Sequence, residues 1–253
     1  MDFISGEIIS IDKPLGWTSF DAVKSLRGAV SRRLGLKKVK VGHAGTLDPL
    51  ATGVLTVCFG RATKRIDELQ AGRKEYIATL RLGATTPSFD LEKQIDALYP
   101  WEHITEEQVH GVLKDFTGRI MQVPPVFSAV KIDGRRAYNL ARKGETPELK
   151  AKPLQIDEME LLEFRLPVIR IRVVCGKGTY IRALARDIGA ALGSGAHLTA
   201  LRRTRVGDRD LSRSLTVQEA LDLIHTTPLE FPEDFPIPEK CRLQPIEKKK
   251  RMI

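Results

Sequence analysis

Strand-like and helix-like stretches follow one another in this chain without the regular strand–helix–strand alternation of a doubly wound sheet. That irregular order limits the fold more than any other feature. The run KEYIATLRLGA, residues 74–84, alternates apolar and polar positions as a half-buried strand does. Other strand runs are GEIISIDKP, ending at Pro14, VLTVCFG at 54–60, and stretches around 155–164 and 168–175. Helical spacing is carried by Val23, Leu26, Val30 and Leu34, then by Val109, Val112, Leu113 and Phe116. It returns at Ile181, Leu184, Ile188 and Leu192, with Gly193 just past the end. Ser19 is expected to cap the first helix and Thr179 the third. Thr105 with Gln108 forms a capping box for the second, and Thr216 with Glu219 opens a last helix. ATKRIDELQA, residues 62–71, reads as a short helix, and 84–104 as an acidic loop. Residues 122–145 hold a Pro-Pro break, a short strand, an Asp-Gly turn and a short helix ending at Gly144. No repeat of fixed period occurs. The pattern predicts an α+β fold with an insertion-like segment at 123–152.

The chain has 253 residues, 42% of them hydrophobic, enough for one large domain with a packed core or one domain plus a small appendage. No stretch approaches the roughly 18 consecutive apolar residues of a membrane helix. MDFISGEIIS lacks the basic start and apolar core of a signal peptide, so a soluble, cytoplasmic protein is expected. Cys58, Cys175 and Cys241 lie far apart and suggest neither zinc nor disulfides. No dinucleotide fingerprint, P-loop, zincin helix or calcium loop is present, so neither a cofactor nor a metal is indicated.

Net charge is +9. Cations collect at Arg32–Lys40, Lys131–Lys143 and Arg202–Arg213, and acid at 92–107, 157–163 and 230–239. Such segregation predicts a charged face for a polyanion rather than a surface laced by ion pairs.

GHAGTLDPLATGVL, residues 42–55, sets one carboxylate, Asp48, between a glycine-rich loop and an apolar run. Pro49 holds Asp48 extended, and the glycines permit sharp turns and close approach. An Asx-type turn explains the pair Asp48–Pro49 as well as a reactive carboxylate does. CGKGTYIRALARDIG, residues 175–189, is a second glycine loop and puts Arg182 in the first turn of a helix, with Arg186 one turn on. A guanidinium is the natural partner of a half-buried carboxylate. A phosphate contact, or a surface pair with Asp187, fits Arg182 equally well by spacing alone.

Taken in order, KPLGWTS (13–19), GHAGTLDPLATGVL, GRATK (60–64), KEY (74–76), PPVFSAVKIDGRRAYNLAR (124–142), CGKGTYIRALARDIG and AHLTALRRTRVG (196–207) resemble the TruB family of pseudouridine synthases. The resemblance covers roughly residues 7 to 215. It implies a mixed, mainly antiparallel sheet flanked by helices and loops, with 123–152 as a thumb-like RNA-binding segment. It implies isomerisation of the T-loop uridine of tRNA, uridine-55, to pseudouridine, with base flipping and without cofactor or metal. It also implies a second role as a tRNA folding chaperone, and a monomer that grips the T-arm. Asp48 matches the nucleophile, Tyr76 the active-site tyrosine and Arg182 the arginine paired with the aspartate. His43 matches the histidine that stabilises the flipped nucleotide, Tyr180 and Leu201 the uridine pocket, and Lys64 and Arg202 phosphate or rim contacts. Attack at sugar or base and departure through a glycal both fit these residues. Two departures stand out. Residues 216–253 are expected to form a short C-terminal extension to a 1–215 catalytic domain rather than a complete PUA-type domain. TTPSFDLEKQ, residues 85–94, replaces the family's usual D-x-x-G around Asp90.

Overall fold

A computed structural model describes residues 1–128, 131–132, 135–136 and 149–242. In chain order the elements begin with strand β1 (Ile8–Lys13), helix α1 (Ser19–Leu34), β2 (Val41–His43) and β3 (Ala51–Phe59). A 3-10 turn (Gly60–Arg65) leads into α2 (Ile66–Ala71), followed by β4 (Lys74–Leu82), β5 (Ala84–Thr85), β6 (Ala97–Leu98) and α3 (Glu106–Asp115). Next come β7 (Gly118–Gln122), β8 (Lys131–Ile132), β9 (Arg135–Arg136), β10 (Lys152–Arg165) and β11 (Val168–Cys175). The chain closes with α4 (Ile181–Ala191), β12 (Ala196–Val206), β13 (Arg209–Asp210), β14 (Leu215–Thr216) and α5 (Val217–Thr226). They gather into two compact units, Met1–Gly72 with Arg203–Ile253, and Arg73–Arg202.

In the first unit β1 runs antiparallel to β3, from Ile8 opposite Cys58 to Lys13 opposite Gly53, and parallel to β14. β2 pairs with the far side of β3, with His43 opposite Val57. Helices α1 and α5 pack together over this sheet, and Ile11, Leu26, Val30, Val54, Leu55 and Ile224 are sealed from solvent. The expected helix face of α1 is the buried one. Its cap, however, is Thr18 rather than Ser19. The Thr18 hydroxyl accepts from the Asp21 N–H (3.0 Å) while the Asp21 carboxylate accepts from the Thr18 N–H (3.0 Å). Ser19 is thereby left with a hydroxyl pointing inward.

The second unit carries the antiparallel order β4–β11–β10–β7. Strand β4 alternates as expected, with Lys74, Tyr76, Ala78, Leu80 and Leu82 on the buried face. Helices α3 and α4 contribute Val109, Leu113, Leu184 and Ile188 to the core. The capping boxes at Thr105–Gln108 and Thr216–Glu219 form as expected. The simple cap expected at Thr179 does not form. Its hydroxyl donates to the Gly176 carbonyl (3.2 Å), and Tyr180 is the residue before α4. Strand β7 and the eleven-residue β12 lay outside the sequence reading. The acidic stretch 84–104 holds the two-residue ladder β5–β6.

Acid at 157–163 proves to be paired. β10 lies beside β11, so Arg172 meets Glu75 (3.1 Å), Glu158 (2.9 Å) and Glu160 (3.4 Å), Arg170 meets Glu163 (3.5 Å), and Arg73 meets Asp157 (3.1 Å). On this face, ion pairs replace the unpaired acidic surface expected from segregation. Of the thumb-like segment, 123–128, 149–152 and the ladder β8–β9 are described. The Asp-Gly turn and the short helix ending at Gly144 fall outside the described residues.

Candidate active site

Asp48 sits at the head of a turn in the first unit. Its carbonyl accepts from the Ala51 N–H (3.1 Å), and Pro49 fills the second position, where a fixed φ favours the turn. Three side chains from elsewhere in the unit hold this loop. The Ser19 hydroxyl accepts from the Leu47 N–H (2.8 Å) and donates to the Leu47 carbonyl (3.0 Å), fixing the residue before Asp48. The Lys13 ammonium donates to the carbonyls of Trp17 (2.6 Å), Pro14 (2.9 Å) and Pro49 (3.5 Å). Arg203 is 1% exposed and donates to the carbonyls of Val54 (2.8 Å), Gly45 (3.1 Å) and Thr46 (3.4 Å). The close approach needs a glycine at 53, where φ is +105° and a Cβ would lie 2.1 Å from the Arg203 carbonyl oxygen.

The electrostatics of this loop follow from burial. Lys13 is fully buried, and desolvation pushes its pKa down to about 8. The Asp48 charge acts the other way and favours the ammonium, while Arg203 adds to the lowering. Burial likewise lowers the pKa of His43, with Arg203 adding to it and the Gly45 backbone opposing. His43 Nδ1 is buried without a hydrogen-bond partner among the described residues. The imidazole is therefore neutral near pH 7 and keeps a polar atom unused.

In the second unit Arg182 occupies the first turn of α4 and is 5% exposed. Its guanidinium donates to the carbonyls of Phe127 (2.9 Å) and Ser88 (3.2 Å), and Nε lies 3.7 Å from the Asp90 carboxylate. Asp187 accepts from its chain neighbour Arg186 (2.8 Å). The segment carrying Ser88 and Asp90 is tightly bonded. The Thr86 and Ser88 hydroxyls both donate to the Asp90 carbonyl (2.7 and 3.2 Å), and Phe89 takes a left-handed φ of +62°. A bulky residue in that region is strained, and it persists only where surrounding contacts hold it. Gln122 clamps Tyr180 from the side. Its amide oxygen accepts from the Tyr180 N–H (2.9 Å) and its amide nitrogen donates to the Tyr180 carbonyl (3.2 Å).

The expected site residues thus divide between the units. His43, Asp48 and the exposed Lys64 belong to the first, and Tyr76, Tyr180, Arg182, Leu201 and Arg202 to the second. Tyr76 is 8% exposed on the inner face of β4. Leu201 and Arg202 are half-buried on β12, which runs on into the first unit at Arg203. Among the described residues no group of three or more His, Cys, Asp or Glu could hold a metal ion, and no helix is long and apolar enough to cross a membrane.

Comparison with known families places these features. Residues 32–181 match the model of the TruB family pseudouridylate synthase N-terminal domain, and 182–247 match that of the tRNA pseudouridylate synthase B C-terminal domain. The chain belongs to the TruB family. Among its TruB relatives is the tRNA pseudouridine synthase B of Parabacteroides distasonis, 65% identical over 92% of this chain and 100% of that protein. That of Phocaeicola vulgatus is 68% identical over 86% and 93%. Of solved structures, a Cbf5–Nop10–Gar1 complex matches with a TM-score of 0.64 and 32% identity over 89% of this chain, which spans 55% of that one. The TruB fold read from the motifs, a mainly antiparallel sheet with flanking helices, is the fold observed.

Sequence reasoning gave no site role to Lys13, Ser19, Gln122, Arg203 or Asp90, reading Ser19 only as a helix cap and Arg203 only as part of a basic cluster. Lys13 and Ser19 stood inside a quoted motif, KPLGWTS, which was the available signal for them. Arg203 was masked by the equally basic Arg202 beside it.

Proposed function

We propose that this chain isomerises the T-loop uridine of tRNA, uridine-55, to pseudouridine. The N1–C1′ bond breaks, the base turns, and a C5–C1′ bond forms. C5 gives up its proton and N1 gains one, so the reaction is balanced without an added reagent. In this reading Asp48 is the nucleophile, Arg182 its charge partner, and Tyr76 the ring beneath the base. His43, Tyr180 and Leu201 receive the flipped nucleotide, and Lys64 and Arg202 hold phosphates. Extruding a base costs a few kcal/mol, and stacking on one aromatic returns about 1–3 kcal/mol. Phosphate contacts supply the rest. The observation that carries the reading is the loop itself. Ser19, Lys13 and Arg203 all bond its backbone, which leaves the Asp48 carboxylate on a fixed support. Such preorganisation is what a nucleophile needs and an ordinary turn does not.

A monomeric, cytoplasmic enzyme with residues 1–215 as its catalytic part, 123–152 as a thumb and 216–253 as a short extension completes the proposal, together with a tRNA-folding role that needs no chemistry. The test uses an unmodified tRNA transcript, wild-type protein and Asp48→Asn, with pseudouridine mapped by carbodiimide-dependent reverse-transcription stops. We expect one new stop in the T-loop with wild type, none with the variant, and equal tRNA affinity for both. A stop of equal strength with Asp48→Asn would remove Asp48 from the chemistry.

A further inference from the structure

A cleft in the first unit lies apart from the Asp48 loop and shares no residue with it. It has a volume of about 560 Å³ and is lined by Arg32 and Lys37 at the end of α1, His225 at the end of α5, and Lys240 and Arg242 from the C-terminal tail. Its remaining lining residues are Ala29, Ser31, Gly35 and Leu36, so among the described residues no carboxylate contributes. Arg32, Lys37, Lys240 and Arg242 are exposed. Chain segments some 200 residues apart are thus folded into one cationic concavity.

The tail is docked there by its backbone. The Arg242 N–H donates to the Arg33 carbonyl (2.9 Å), and the Cys241 N–H closes a turn on the Pro238 carbonyl (2.8 Å). Gly35 has φ +66°, and a Cβ on it would lie 2.8 Å from the Lys240 carbonyl carbon, so the tail fits only against a glycine. Behind the lining, Arg33 is fully buried. One of its nitrogens donates to the Ile224 carbonyl, and Nε and Nη2 have no partner among the described residues. Positive groups gathered around one cleft repel one another, and a concave wall concentrates their field. A bound polyanion relieves that repulsion.

We propose that this cleft binds phosphodiester groups of the RNA substrate, as a second anchoring site distinct from the catalytic loop. The proposal rests on the tRNA reading above for the identity of the polyanion. Exposed lysine and arginine forks suit backbone phosphates, and nothing in the lining reads a base edge.

The double variant Lys240→Ala/Arg242→Ala tests it, with Lys114→Ala/Arg119→Ala as a control that removes the same charge from the second unit. Unmodified tRNA is titrated at several salt concentrations. The tail variant should bind about ten-fold or more weakly, and its slope of log K against log salt should fall by about two, one for each lost phosphate contact. Turnover at saturating tRNA and the melting temperature should stay at the wild-type level. Equal losses in the two double variants would reduce the effect to net charge and overturn the proposal. A small-anion site is the rival source of the same chemistry. Inorganic phosphate that stabilises wild type and not the tail variant, with tRNA affinity unchanged between them, would also overturn it. Absence of isomerisation by wild type with these binding differences intact would sink the proposed function and leave the cleft assigned.

Discussion

Lys13 shows most plainly how one residue couples the loop to its surroundings. Its ammonium is held in a fully buried position by backbone carbonyls, and its folded pKa is lowered to about 8 from the ordinary 10.5. Below about pH 8 both folded and unfolded chains carry the proton, and the burial penalty is felt in full. Between about 8 and 10.5 the unfolded chain binds more protons than the folded one. Stability contributed at this site therefore rises with pH through that window. Lys13→Met lacks the titration. Urea unfolding of both proteins should give a wild-type minus variant difference that rises from about pH 7 to about pH 10. A constant difference would mean that the ammonium is solvated. His43 acts in the same sense at the acid end. With its pKa lowered by burial, the folded state resists protonation, so stability falls as pH drops below the usual 6.5. Wild type should therefore lose stability between pH 6.5 and pH 5 more steeply than His43→Gln does, in the same urea series.

Among elements, the junction of β7 with α4 is the one whose loss would be most informative. Gln122 makes two hydrogen bonds to the backbone of Tyr180 and thereby fixes the entry to the helix that carries Arg182. Gln122→Ala takes away the bond to the Tyr180 N–H, while the Tyr180 carbonyl still accepts from the Leu184 N–H (3.0 Å), a loss of about 1 kcal/mol for a part-buried bond. We expect a lower melting temperature and a fall in kcat larger than the rise in KM, with Gln122→Glu restoring part of the rate by keeping an acceptor. A change in KM alone would confine Gln122 to substrate binding. This junction also marks where reading the sequence stops. The helices α1, α3, α4 and α5 and the strand β4 were legible, because their apolar spacing is local. β12 was not, since Arg202, Arg203 and Arg205 interrupt any alternation and one of them is buried. The Asp48 loop was legible as a motif, but its clamps were not. Ser19 to Leu47, Arg203 to Gly45 and Gln122 to Tyr180 join residues 28, 158 and 58 positions apart, and no periodicity records such contacts. The cap at Ser19 was misassigned for the same reason, and that at Thr179 because a local bond to Gly176, three residues back, took its hydroxyl. Each hydroxyl was claimed by a carbonyl outside the helix it was expected to start.

For the molecule as a whole, a charge of +9 predicts that tRNA affinity falls steeply and linearly in log salt. Asp48→Asn should show the same slope as wild type, since it alters chemistry and not phosphate contacts. A flat dependence in a binding titration would remove the electrostatic account of RNA recognition. The face formed by β10 and β11 bears on this in another way. There five arginines, Arg73, Arg81, Arg165, Arg170 and Arg172, stand among five carboxylates, Glu75, Asp157, Glu158, Glu160 and Glu163, so this face of a +9 protein carries no net charge. A neutral face offers a polyanion no net attraction, so RNA is expected to leave it faster than the basic surfaces elsewhere. Fewer collisions then end in dead-end adducts, so the ladder of paired charges sharpens the search for the productive encounter.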